Sequence, residues 1–237
     1  MTDAAILVIG NEVLSGRTRD ANTQTLAKAL GGIGIALAES RAIPDDAARI
    51  GAAVRELAAR HAHVFTSGGI GPTHDDITAE AVAAAFGTTA PVREDARAIL
   101  EAHYGDDLND ARLRMARIPP GATLIPNPVS AAPGFRLRNV LVMAGVPRIF
   151  EAMLHAVLPT LEGGRVVHEA SVAVPLAEGE LAEPLAALAE RMPQVSFGSY
   201  PRLHPEGGFE VTVVARSADE AALDAAKAEI ERLGAPR

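Results

Sequence analysis

Thr66-Ser67-Gly68-Gly69-Ile70-Gly71-Pro72-Thr73-His74-Asp75-Asp76-Ile77-Thr78 follows the apolar pair Val64-Phe65 and precedes a helical pattern that begins near Ile77. A buried strand that ends in a glycine turn and passes into a helix is where open α/β sheets put their ligands. Gly68, Gly69 and Gly71 let the backbone adopt positive φ and approach a ligand closely, which leaves successive N–H groups to line an anion-binding concavity. The loop reads as a phosphate cradle. Asp75 and Asp76 then bring two carboxylates to the mouth of a site that attracts anions. A hard divalent cation such as Mg²⁺, held by one or two carboxylates and by substrate phosphates, reconciles the two halves of the stretch. Each aspartate also has a second reading, as a helix N-cap or first-turn acid. Other glycine-loop readings fail on single residues. Gly69 to His74 lacks the third glycine of a dinucleotide fingerprint, Pro72 removes a donor, and no Gly-Lys-Ser/Thr follows to make a P-loop.

Upstream, Ala4-Ala5-Ile6-Leu7-Val8-Ile9 is a continuous apolar run, the pattern of a central parallel strand, and it ends in the polar loop Gly10-Asn11-Glu12-Val13-Leu14-Ser15-Gly16. A helix is predicted from Asp20 as N-cap, with Leu26 and Leu30 inward and a stop at Gly31-Gly32. A strand over residues 35–40 follows. Pro44-Asp45-Asp46 opens a second helix, with Ile50, Val54 and Leu57 at helical spacing, before the third strand reaches the glycine loop. The order βαβαβ predicts a parallel sheet.

Downstream, helices are predicted from Ile77 to Phe86-Gly87, over residues 93–104 and, briefly, over 112–116; their arginines and acids read as solvated faces. Pro119-Pro120-Gly121 breaks the pattern, and Pro126-Asn127-Pro128-Val129-Ser130-Ala131-Ala132-Pro133-Gly134-Phe135 reads as a second ligand loop rather than core. Val140-Leu141-Val142-Met143 is one more buried strand, ending at Ala144-Gly145-Val146-Pro147, and residues 148–158 form the closing helix. Beyond Gly163-Gly164 the pattern changes to strand (166–174), helix (179–191), strand (195–200), strand (208–216) and helix (217–233). That βαββα order predicts a small plait, and so a division into residues 1–164 and 165–237. The plait carries no catalytic constellation, and Glu178-Gly179-Glu180 and Tyr200 read as solvated surface. His61, His63, His103 and His155 lack ligand spacing, whereas His74 sits inside the glycine loop, within reach of a phosphate or a base.

Composition narrows the function classes. With 48% hydrophobic and 22% charged residues over 237 positions, the chain can bury a sizeable core. A net charge of −8 argues against a non-specific nucleic-acid surface, and 3% aromatic residues with no Trp argue against a base-stacking platform. The absence of cysteine excludes disulfides, thiolate metal sites and a cysteine nucleophile. Met1-Thr2-Asp3 has no basic character and no apolar run is long enough to span a bilayer, so no membrane partner and a cytoplasmic location are expected.

The sequence resembles the molybdopterin-binding-like (MoCF) family, and within it the CinA-type members. The matching stretches are residues 9–22 (Ile-Gly-Asn-Glu-Val-Leu-Ser-Gly-Arg-Thr-Arg-Asp-Ala-Asn), residues 68–78, Asn127-Pro128 through Ala132-Pro133-Gly134-Phe135, and Gly145-Val146-Pro147. The resemblance implies an α/β, three-layer α/β/α domain with a mostly parallel sheet, followed by the small plait. It also implies a phosphorylated ligand: ADP-ribose or a related FAD-like dinucleotide, or molybdopterin. Asp76 and one of Asp45 or Asp46 match aspartates that support adenylylation of molybdopterin in relatives, whereas CinA-like members are associated with metal-dependent pyrophosphate cleavage. Two departures are Ser130, where a glycine is usual, and Ala144, where a proline is usual.

The expected enzyme is a nucleotide pyrophosphatase that releases AMP, with a molybdopterin adenylyltransferase and a non-catalytic binding module as alternatives. Asp76, Asp45 and Asp46 are the expected catalytic acids, with Asp76 and Asp75 on the cation. Ligand contacts are expected from Gly10, Glu12, Ser67, Gly68, Gly69, Ile70, Gly71, Thr78, Asn127, Gly134 and Gly145. A homo-oligomer is the expected assembly.

Overall fold

The computed structural model describes residues 2–203 and 209–234, in two compact units, Met1–Gly164 and Arg165–Arg237. The first contains, in chain order, β1 (Asp3–Ile9), α1 (Asn11–Leu14), α2 (Asn22–Gly31), β2 (Ala36–Ile43), α3 (Ala47–Arg60), β3 (His63–Ser67), α4 (Thr78–Ala85), α5 (Glu94–Tyr104), α6 (Asp110–Leu113), β4 (Thr123–Ile125), β5 (Gly134–Leu137), β6 (Val140–Met143) and α7 (Pro147–Val157). The strands form one sheet in the order β2-β1-β3-β6-β5-β4. The β2, β1, β3 and β6 pairings are parallel, and the β6-β5 and β5-β4 pairings are antiparallel.

Successive side chains of a strand point to opposite faces, so a strand covered on both sides tends to a continuous apolar run. β1 shows this directly. Ala4, Ile6 and Val8 join Leu26, Leu30, Phe150 and Leu154 in one core, while Ala5, Leu7 and Ile9 join Ile50, Val54, Leu57 and Leu100 in the other. Helices therefore cover both faces of a mostly parallel sheet. Each fully buried leucine or isoleucine contributes roughly 1.5–3 kcal/mol, so the two cores carry most of what holds the layers together.

Several local expectations change. The loop after β1 contains the one-turn helix α1. Asp20 is not the N-cap of α2, which is Ala21; its carboxylate accepts from the N–H groups of Asn22 (2.9 Å) and Thr23 (3.2 Å) from one residue further back. β2 runs to Ile43, longer than residues 35–40, because as an edge strand it alternates exposed with half-buried positions and needs no continuous apolar run. The stretch before residue 136 is not all loop: Gly134 and Phe135 begin β5, and Phe135 is among the largest fully buried side chains. β4 and β5 are three and four residues long and flanked by proline, too short for a periodic signal.

The second unit contains β7 (His168–Val174), α8 (Glu178–Arg191), β8 (Ser196–Leu203), β9 (Phe209–Ser217) and α9 (Glu220–Leu233). Its antiparallel sheet has the order β7-β9-β8. Val174, Val211 and Val213 pack with Leu181, Leu188, Leu223 and Ile230 of the two helices. The start predicted for its third strand, Gly208, lies outside the described residues. Ser217 ends β9 instead of opening α9, which Asp219 caps by accepting from Ala222 N–H at 3.2 Å. Among the described residues, no helix is long and apolar enough to cross a membrane.

Candidate functional site

Because β1, β3 and β6 are parallel and in register, their carboxyl ends open on one edge of the sheet and gather the loops that follow them. The central turn is held from below. Gly68 and Gly69 have φ of 111° and 69°, and a Cβ would overlap Ile9 O at the first and the Thr78 hydroxyl at the second. Both therefore need glycine for backbone conformation and for space. Thr78 is buried, its hydroxyl donating to Gly68 O at 3.0 Å and its N–H to Gly69 O at 3.0 Å. It shapes the loop from behind. Gly68 N–H donates to Met143 O at 3.1 Å, so the cradle expected over four residues is narrower. The N–H groups of Gly69, Ile70 and Gly71 have no acceptor among the described residues.

The turn forms one wall of a cavity of about 590 Å³, a volume ordinary for a small-molecule site. Glu12, Asp45, Asp75 and Asp76 line it, together with Gly145 and residues 68–73. The two aspartates that open α3 separate here. Asp45 faces the cavity, its Oδ2 accepting from Asn11 N–H at 2.9 Å, whereas Asp46 is the N-cap of α3, accepts from Arg49 N–H at 2.8 Å and does not line the cavity. Asp76 makes no cap bond to α4. Its Oδ2 accepts from Thr73 N–H at 2.8 Å and from the Thr73 hydroxyl, closing the end of the loop on itself. Asp75 is 61% exposed, and the neighbouring Thr73 hydroxyl and its own backbone amide hold its carboxyl below the usual aspartate range.

Other expected contacts serve the scaffold. Asn127 lines the cavity but turns its polar atoms into its own loop: Nδ2 donates to Ser130 Oγ (2.7 Å) and Ala132 O (2.8 Å), and Oδ1 accepts from Val129 and Ser130 N–H (3.1 Å each). Ser130, the departure from the family glycine, is thus absorbed as a partner of Asn127. Gly134 is buried in β5 away from the cavity, where a Cβ would overlap Val142 O and the Met153 methyl; strand packing, not ligand approach, requires a glycine. Gly10 donates to Ile43 O at 3.1 Å, and Ser67 faces a smaller niche behind the turn; neither lines the main cavity. The His74 side chain is 94% exposed and also outside the lining.

Sequence reasoning missed two groups. Asn22 is 4% exposed, and its Nδ2 donates to both Ser67 Oγ and Gly145 O at 2.7 Å, which ties the ends of β3 and β6 to the start of α2. Its place at the end of the first matching stretch was the available signal. Tyr104, Arg112 and Met115 form a further wall of the cavity, although their segment reads as a solvated face. That expectation also fails for Arg93, which donates to Ala122 O at 2.6 Å, while Arg117, just beyond the segment, pairs with Glu80 at 2.6 Å. Among the described residues, no group of three or more His, Asp or Glu side chains is placed to hold a metal ion by itself.

The family model described as a probable molybdopterin binding domain matches residues 5–163, and that described as the middle domain of FAD synthase matches residues 166–235. A protein of Caldivirga maquilingensis is 33% identical over 213 residues, which are 86% of this chain and 82% of that protein. A CinA-like protein of Citrifermentans bemidjiense is 41% identical over 167 residues, 67% of this chain but 40% of that longer protein. The crystal structure of the protein CinA, of unknown function, from Thermoplasma acidophilum superimposes with a TM-score of 0.63 at 36% identity, over 67% of this chain and 98% of that one. With a matched domain that spans the whole α/β/α unit and its cavity, the chain belongs to the probable molybdopterin binding domain (MoCF) family, among its CinA-like members.

Proposed function

We propose that the cavity binds a nucleoside diphosphate derivative, ADP-ribose or a related dinucleotide, and cleaves its pyrophosphate linkage with release of AMP. The observation that carries this reading is the meeting, in one cavity, of three backbone N–H groups without an acceptor and four carboxylates. Peptide donors suit a phosphoryl group, and carboxylates alone repel one: two like charges 4 Å apart cost roughly 1 kcal/mol in water and about 4 kcal/mol near a protein surface. A divalent cation such as Mg²⁺ fits this donor set, because a hard cation takes one or two carboxylates and completes its shell from water and substrate phosphates, with no closed protein cage. Asp76 and Asp75 would hold it, and bound there it would offset charge at phosphorus.

The chain's own groups have distinct parts in this reading. The N–H groups of Gly69, Ile70 and Gly71 hold one phosphoryl group and meet the charge that develops on its oxygens. Asp45, fixed through Asn11 N–H, keeps Oδ1 outside that hydrogen bond and accepts a proton from the attacking water. Glu12 orients the water or a ribose hydroxyl. Water oxygen bonds to phosphorus, the bridging P–O bond breaks, and ADP-ribose yields AMP and ribose 5-phosphate. The second unit has no part in the chemistry, and a cytoplasmic homo-oligomer is the setting of this reading.

Transfer of AMP to a molybdopterin phosphate is the second reading, favoured by the description of the matched family. One screen separates the two: ADP-ribose, FAD, NAD and molybdopterin with ATP, each with several divalent cations and with EDTA. AMP with a sugar phosphate supports hydrolysis, an adenylylated pterin supports transfer, and saturable binding without product leaves a binding module. Full AMP release from metal-stripped protein would remove the cation from the reading.

A further inference from the structure

Arg112 is the one cationic side chain among the described residues that line the cavity. Its segment gives it no distinction from the arginines that follow, but the fold does: Arg117 is spent on Glu80, whereas Arg112 has no carboxylate partner among the described residues even though four carboxylates line the same space. Two contacts set its plane. The guanidinium carbon lies 4.5 Å from the centroid of the Tyr104 ring, and Nη1 donates to the carbonyl of Asp107. Nε and Nη2 have no acceptor among the described residues. An arginine stacked on an aromatic face and pinned by one N–H is already ordered, so it loses little freedom when the remaining donors take the oxygens of a phosphate.

We infer that Arg112 is a second anion-binding point, and that it and the amides of Gly69, Ile70 and Gly71 take two different phosphoryl groups of one ligand. The cavity then selects diphosphates over monophosphates, with Tyr104 as the positioning residue for Arg112. This inference rests on the reading of the cavity as a phosphoryl-ligand site.

Calorimetric titration of the full chain with α,β-methylene-ADP, whose phosphorus–carbon bridge resists hydrolysis, and with AMP tests it in the presence of Mg²⁺. The unmodified protein binds the diphosphate analogue more tightly than AMP. Arg112→Gln weakens the analogue by ~10-fold or more and AMP by less than about twofold, as expected for loss of a charged hydrogen-bonding partner that only the longer ligand reaches. Tyr104→Phe keeps the preference and Tyr104→Leu lowers it, while unchanged thermal melts show that the variants fold. Equal loss for both ligands, or no loss for either, overturns the second anion point while the cavity reading stands. If the unmodified protein binds neither compound, the phosphoryl-site reading fails and this inference fails with it.

Discussion

The carboxamide nitrogen of Asn22 donates to Ser67 Oγ and to Gly145 O, both at 2.7 Å, so one side chain at the start of α2 ties down the ends of β3 and β6. The glycine turn that follows Ser67 and the turn that contains Gly145 line the same cavity, and their relative position depends on this bond pair. Asn22→Ala leaves the buried Ser67 hydroxyl without its donor, at a cost of about 1–3 kcal/mol, and releases the exposed Gly145 carbonyl. A melting temperature lower by several degrees, together with weaker ligand binding, is expected; Asn22→Asp, which cannot donate from a carboxylate, behaves alike. A melt and an affinity both unchanged in Asn22→Ala would dismiss the tie.

Asp76→Asn keeps an oxygen that accepts from Thr73 N–H, so the loop closure and the melt are retained. What it removes is charge. AMP release falls by roughly two orders of magnitude, comparable to losing one electrostatic stabiliser of a transition state, and Asp75→Asn has the milder effect. Turnover of Asp76→Asn within a few-fold of the unmodified protein, at saturating cation, sinks the assignment of Asp76.

The adjacent acids Asp45 and Asp46 give opposite variants. Asp46→Asn retains a cap on α3 and leaves stability and turnover nearly unchanged, while Asp46→Ala costs about 1 kcal/mol of stability without abolishing AMP release. Asp45→Asn keeps the fold and loses most turnover. The reverse pattern in kinetic assays of the two asparagine variants would move the proton acceptor from Asp45 to Asp46.

His63 supplies a pH test away from the cavity. Burial, helped by the Arg136 charge and opposed by Asp3 and Glu162, holds its imidazole below the usual histidine value, and its Nδ1 is buried without a partner among the described residues. Between the lowered folded value and an unfolded value of about 6.5, the unfolded chain binds the extra proton, so stability rises with pH across that window. The contribution is complete above about pH 6.5 and is lost as the pH falls below it. Melting temperatures measured from pH 7.5 down to 5 decline less steeply for His63→Gln than for the unmodified protein. Identical slopes would show that another group governs the decline.

What the sequence by itself determined was the parallel half of the sheet, because β1 and β6 are buried on both faces and are written in continuous apolar runs, while the shorter pair Val64-Phe65 ahead of the glycine turn marks β3. The helices α2 and α3 were legible through Leu26, Leu30, Ile50, Val54 and Leu57, all fully buried at helical spacing. The glycine turn was legible as well, since few residues other than glycine tolerate the φ of 111° at Gly68 and 69° at Gly69. Tertiary structure alone decided which functional groups share a space. Asp45 and Asp46 are chemically identical neighbours, and only the direction in which α3 leaves the sheet sends one to the cavity and the other to the helix end. Asn127 and Gly134 sit in a stretch that reads as a ligand loop, yet hydrogen bonds within that loop and the approach of Val142 occupy them. Arg112 and Tyr104 carry no local signal, because a cation in a short polar helix looks the same whether it faces water or a cavity. Only the packing of distant segments around the carboxyl edge of β1, β3 and β6 makes that difference.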